Sequence, residues 1–261
     1  MRVSKLKRKD FFRIAVPVLL VGGIVALCLH LCTSSGESAA ANVYAADAPL
    51  AQMPQEIKPC LIPLSAEQIA RIPQADGFQW PVGGGSLAFM YDAQGFGVHN
   101  EKRGGYHSGV DLNGIGGGNT DQGEVVSAAA RGLVVYCGTP SAGWGKVVVV
   151  AHRIPGDNHV YQTLYAHLQD VAVKYGDRVC RGQKIGTIGT AEGVYLAHLH
   201  FEVIDSPVVE AGVTAYHPNG TMNRINPYEF IKAHPAPPFP DPLFQVEGAF
   251  RLRESVMPMT R

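Results

Sequence analysis

From Phe78 to Phe201 the chain runs in short β-branched stretches, such as Val125-Val126, Val134-Val135 and Val147–Val150, broken by Gly, Pro, Asn and Asp. This pattern predicts an all-β fold, an antiparallel β-sheet domain over residues 78–232. Side chains two apart on a strand share a face. In 198–203, Leu199, Phe201 and Val203 therefore take a face that can be buried, and His198 and His200 share the opposite one. Other segments depart from the pattern. Residues 33–57 are rich in Ala, Ser and Gln, and 33–77 reads as a tether carrying a short helix, with Ser65 as its N-cap and Gln68 at the third position. Residues 233–261 include Pro235-Ala-Pro-Pro-Phe-Pro-Asp-Pro, too proline-rich for a helix or a central strand, and are expected to form an extended tail.

Residues 14–32 carry no charge and follow Arg2, Lys5, Lys7, Arg8 and Lys9. As a helix they span about 28 Å, close to the ~30 Å hydrocarbon core of a bilayer. They predict an N-terminal transmembrane helix, with residues 1–13 as a basic cytoplasmic tail. The competing reading is a cleaved signal peptide cut near Ala39-Ala40-Ala41, which lies well beyond the apolar stretch. The expected location is therefore the inner or cytoplasmic membrane, single-pass, with the β domain in the periplasm or cell-wall space.

Charge and cysteine change the picture only a little. The 261 residues hold 22 Lys/Arg and 22 Asp/Glu, and the first 13 take six of the basic residues and one of the acidic. What remains is mildly acidic, without a basic patch or aromatic ladder, so no nucleic-acid partner is expected. Cys28 and Cys32 fall in the apolar stretch. Cys60, Cys137 and Cys180 would meet an oxidising compartment, where three thiols permit at most one internal bridge and leave one over.

The chemistry lies in three short signatures: His107-Ser-Gly-Val-Asp111, Tyr165-Ala-His167-Leu and His198-Leu-His200-Phe-Glu-Val. A lone His-x-His on a strand is often a polar surface pair. Three such pieces in strand-like segments point instead to one centre. Imidazoles and a carboxylate suit Zn²⁺, which takes three protein ligands in catalytic sites and leaves a fourth position for water. Five candidates for three places leave two histidines for proton transfer.

These signatures resemble those of the lysostaphin-type, LytM-like zinc endopeptidases, a family of peptidoglycan hydrolases. The likeness extends over about residues 78–230, through Arg131–Val135, Gly143–Val150 with His152, Gly176–Val179, Gly182–Gly186 and Asn226-Pro227. It implies the family's duplicated hybrid β motif, which a weak echo between Gly123-Glu-Val-Val-Ser and Gly176-Asp-Arg-Val-Cys fits. It implies one Zn²⁺ per chain on His107, Asp111 and His200, with His167 and His198 as the catalytic proton-transfer pair. It also implies a peptide cross-link of bacterial peptidoglycan as substrate. The alternatives are an envelope adaptor that activates a cell-wall amidase, against which the complete residue set counts, and a secreted bacteriolytic toxin. Envelope protein partners are left open.

Among the remaining features, the glycine-rich insert Asn113–Gly123 departs from the family pattern and is a candidate for reshaping the groove. It lacks the Gly-Lys-Ser/Thr ending of a phosphate loop. Tyr165 shares parity with His167 and is expected beside the site. His152 reads as structural, and His99, His159, His217 and His234 read as surface residues. No Gly-x-Ser-x-Gly elbow supports serine catalysis.

Overall fold

The computed structural model describes residues 61–212 and 215–238, all within one compact unit. The expected transmembrane helix at 14–32 lies outside the described residues. Among those described, no helix is long and apolar enough to cross a membrane.

The chain order is β1 (Leu61–Pro63), α1 (Ala66–Arg71), β2 (Met90–Asp92), β3 (His99–Asn100), β4 (Gly105–His107), β5 (Val110–Gly114), β6 (Val125–Ser127) and β7 (Gly132–Gly138). Then follow β8 (Lys146–His152), β9 (Tyr161–Val171), β10 (Arg178–Val179), β11 (Lys184–Ile188), β12 (Leu199–Asp205), β13 (Val208–Glu210), β14 (Tyr216–His217), β15 (Arg224–Ile225) and α2 (Pro227–Ala233). The main sheet has ten strands and a central path β10-β7-β8-β9-β12-β5-β2; β11 bridges β6 and β9, and β15 flanks β12. A three-stranded sheet β14-β4-β3 and a two-stranded sheet β1-β13 complete the fold. Every ladder is antiparallel, as the strand pattern predicts.

Both faces of the main sheet are covered, which is why Val147–Ala151 reads as an unbroken apolar run. Val148, Val150, Tyr165, Leu199, Phe201 and Val203 enter one core. Val147, Val149, Ala151, Leu164, Ala166 and Ile204 enter the other, with Trp144. Alternation along β12 places His200 and Glu202 on the second face.

The segment expected as tether is partly structure. Leu61–Pro63 pair with β13, and Ile62, Leu64 and Ile72 join the second core. Ser65 forms a full capping box with Gln68 on α1. Arg181, 1% exposed, ties down Asp76 at 3.1 Å and Gln79 at 2.9 Å. Cys180 is disulfide-bonded. Cys137 is a free thiol, and burial, then Asp177, pushes its pKa up.

His152 is structural. Its Nδ1–H donates to the Arg131 carbonyl at 2.9 Å, so Nε2 accepts from Thr163 Oγ1 at 2.8 Å. The Tyr165 hydroxyl lies 2.8 Å from Thr163 Oγ1 and accepts the Ala129 N–H at 2.8 Å. Burial pushes His152 down to about 4, against the Arg131 hydrogen bond. An unfolded histidine binds its proton near 6.5, so the unfolded chain gains a proton that the folded one refuses as pH drops from about 6.5 to about 4. Stability is expected to fall across that window by up to about 3 kcal/mol on this account. Denaturant melts at pH 7 and 4.5 check it: His152→Gln should flatten the drop, and an unchanged slope would contradict the assignment.

Candidate metal and proton-transfer site

Four strands converge on one pocket of about 350 Å³. His107 ends β4, Asp111 sits in β5, His167 in β9 and His200 in β12, with His198 just before β12. The expected residues are thus brought together. Ser108 and Gly109 carry the chain from the small sheet to the large one. A Cβ on Gly109 would meet the Phe201 carbonyl oxygen at 2.4 Å, so only glycine lets β5 lie this close to β12.

Three donor atoms form a small triangle. His107 Nε2 lies 3.1 Å from His200 Nδ1 and 3.3 Å from Asp111 Oδ1, and His200 Nδ1 lies 2.9 Å from Asp111 Oδ1. A tetrahedral zinc with bonds near 2.0–2.1 Å needs neighbouring ligand atoms about 3.3 Å apart. The triangle is of that size, so the residues fit the ion. The outward ring nitrogens are also held: His107 Nδ1–H donates to Gly95 O at 3.3 Å and His200 Nε2–H to Glu202 Oε1 at 2.9 Å. Such contacts fix the tautomer and turn the other nitrogen toward a metal. Glu202, fully buried, is itself held by Ser108 Oγ at 2.6 Å and Arg224 Nε at 3.1 Å. Arg224 also pairs with Glu210.

The triangle holds opposite charges against each other. Burial opposes charge on His200, but hydrogen bonds to Asp111 and Glu202 outweigh it and hold the imidazole up to about 9. Burial also opposes charge on Asp111, yet His107 and His200 drive its carboxyl far below the usual range. Glu202 is pushed down to about 2: Arg224, His200 and Ser108 overcome its burial.

The other two imidazoles flank the triangle. The His167 and His198 rings lie 4.6 Å apart, and His198 Nε2 is 3.7 Å from Asp111 Oδ1. Each donates its Nδ1–H to a carbonyl, His167 to Trp144 at 3.2 Å and His198 to Leu196 at 2.8 Å. Each is left with Nε2 as an acceptor. Burial, then the charges of His200 and His198, push His167 down to about 3. His167 takes φ +62°, a left-handed conformation that breaks the alternation of β9. Gly189 permits the close packing: a Cβ there would meet His167 O at 2.5 Å.

That break corrects the reading of Tyr165. It is fully buried in the first core beside Phe201, away from the site. His217 is likewise buried rather than on the surface, and His234 is half-buried against Phe230. The insert Asn113–Gly123 does not line the pocket. It folds back instead: Asn113 Nδ2 donates to the Ala197 carbonyl at 3.1 Å, and Asn119 Oδ1 accepts the Ala197 N–H at 2.8 Å. The insert thus holds the backbone that delivers His198. Glu202 was within reach of the sequence, since it shares parity with His200. Arg224, Tyr195 and Tyr216 come from separate segments with no local signal.

Residues 105–212 match Peptidase family M23. That stretch, which holds all five site residues, is similar to M23 peptidase domains of the LytM-like kind. Among curated proteins it is similar to the outer membrane antigenic lipoprotein B of Haemophilus influenzae, 29% identical over 141 residues, 54% of this chain and 29% of that protein. It is also similar to the murein hydrolase activator NlpD of Escherichia coli, 33% identical over 99 residues, 38% of this chain and 23% of that protein. The chain thus spans less than a third of the length of either relative. Among solved structures, lysostaphin of Staphylococcus simulans matches at 25% identity over 60% of this chain and 54% of that one, with a TM-score of 0.44.

The expected single-pass location in the inner or cytoplasmic membrane is corrected here. The Haemophilus relative bears the name of an outer membrane lipoprotein. An apolar stretch behind basic residues is common to anchors and to export signals, so its length alone did not discriminate between them.

Proposed function

We propose that this chain is a zinc-dependent endopeptidase that cleaves peptide cross-links of bacterial peptidoglycan in the cell envelope, with its working domain at about residues 78–232. The observation that carries the reading is the complete set of five residues around one pocket, three with donor atoms at zinc-ligand spacing. His107, Asp111 and His200 would hold one Zn²⁺. The ion supplies a Lewis acid and brings the pKa of water toward neutrality.

His198 and His167 carry the proton. Their Nδ1–H groups are tied to backbone carbonyls, so each offers the pocket an acceptor and no donor. One of them takes the proton of the attacking water and thereby becomes a donor. That same proton then serves the oxyanion or the leaving amine. Glu202 keeps His200 in register, and Arg224 keeps Glu202 charged.

A second reading, activation of a cell-wall amidase, is favoured by the printed name of the Escherichia coli relative. Purified peptidoglycan separates the two. The peptidase releases peptides with new amino ends, chelator stops it, and mass spectrometry identifies the bond. An activator alone releases nothing and speeds an added amidase.

The insert gives a further expectation. Asn119→Ala leaves the buried Ala197 N–H without its acceptor, a loss of about 1–3 kcal/mol, and loosens the segment before His198. Turnover is expected to fall about tenfold with zinc content unchanged, since small misplacement of a catalytic group is costly. Unchanged turnover would mean that the insert does not position His198.

A further inference from the structure

We propose that Arg103 forms an anion subsite at the mouth of the pocket and selects peptide substrates that carry a carboxylate next to the scissile bond. The inference rests on the peptidase reading and names its substrate class. Arg103 lies in the turn between β3 and β4, where its backbone N–H donates to Asn100 Oδ1 at 3.1 Å. Its guanidinium lies over two rings at once, 5.5 Å from the centre of Tyr195 and 5.7 Å from that of Tyr216. Those rings belong to opposite sides of the site. Tyr195 is 5.0 Å from the His167 ring and 5.8 Å from that of His198, whereas Tyr216 is 5.4 Å from that of His107. Arg103 therefore spans the entrance from the proton-transfer side to the triangle side.

A cation–π contact consumes no N–H donor, so the guanidinium keeps its donors for a planar, bidentate partner. Among the described residues, the guanidinium makes one long hydrogen bond, 3.4 Å from Nη2 to the Tyr195 hydroxyl. Among the residues lining the pocket, Asp111 is the one carboxylate, and it is engaged by His107 and His200. Nothing acidic in the lining competes for Arg103, so an incoming carboxylate meets an accessible cation one ring away from the reacting centre. Tyr195 and Tyr216 offer that exposed cation two π-faces at the pocket mouth.

The test uses zinc-loaded protein and one pair of probes: cross-linked peptidoglycan peptide dimers with their carboxylates free, and the same dimers converted to carboxamides. The wild type is expected to show a KM about tenfold lower for the free acid. Arg103→Met should erase that difference, mainly through KM on the free acid, and Arg103→Lys should restore part of it, since it keeps the charge but not the planar fork. Zinc content should be the same in all three proteins. No preference in the wild type, or an equal loss on both dimers in Arg103→Met, would overturn the subsite. If the wild type cuts neither dimer, the peptidase reading fails by itself. Dissociation constants from calorimetry then test the subsite separately: the tenfold contrast supports it, and equal binding of the two dimers overturns it.

Discussion

Replacing His107 or Asp111 by alanine is expected to remove bound zinc and peptidase activity together, down to the uncatalysed background. The three donor atoms sit within 3.3 Å of one another, so each would supply one of three protein ligands, and the remaining two rarely hold zinc in a catalytic site. Asp111 has a second part. Among the described residues it alone sets a carboxylate oxygen against both imidazoles, and without it two buried histidines confront each other at 3.1 Å with nothing negative between them. Elemental analysis of the purified variants, read beside their cleavage rates, checks this. Full zinc occupancy in either variant would take that residue out of the ligand set.

The second large effect separates binding from turnover. His167→Ala and His198→Ala are each expected to keep zinc and to lose at least about 10²-fold in rate, the low end for losing a general acid–base group. Their rings stand 4.6 Å apart and both present Nε2, so the proposed mechanism has them share one proton rather than move two. The double variant should therefore lose far less than the product of the single losses, as residues acting as a unit do. Loss of zinc in either single variant would move that histidine into the ligand set, and strictly multiplicative losses would argue for separate roles.

Much of this site was legible because it lies on strands. His198 and His200 share a face by simple alternation, and β12 keeps that alternation throughout, with Leu199, Phe201 and Val203 in one core and Ile204 in the other. Parity failed on β9. It placed Tyr165 beside His167, but the left-handed φ of His167 turns its ring to the other side while Tyr165 stays buried. A single backbone inversion leaves no mark in the hydrophobic pattern, and the glycine that permits it, Gly189, lies 22 residues away. The Asn113–Gly123 insert read as a loop of unknown use for a related reason. Its contacts with Ala197 are long-range side-chain-to-backbone bonds, which composition cannot show. Arg103, Tyr195 and Tyr216 meet only once β4, β14 and the loop before β12 have packed.

The most direct test is a zinc titration of stripped protein against purified peptidoglycan, with released amino ends counted at each step. The account predicts no cleavage without metal, a linear rise and a break at one zinc per chain. Cleavage that persists in the metal-free protein, or a fully loaded protein that releases no peptide, would contradict it.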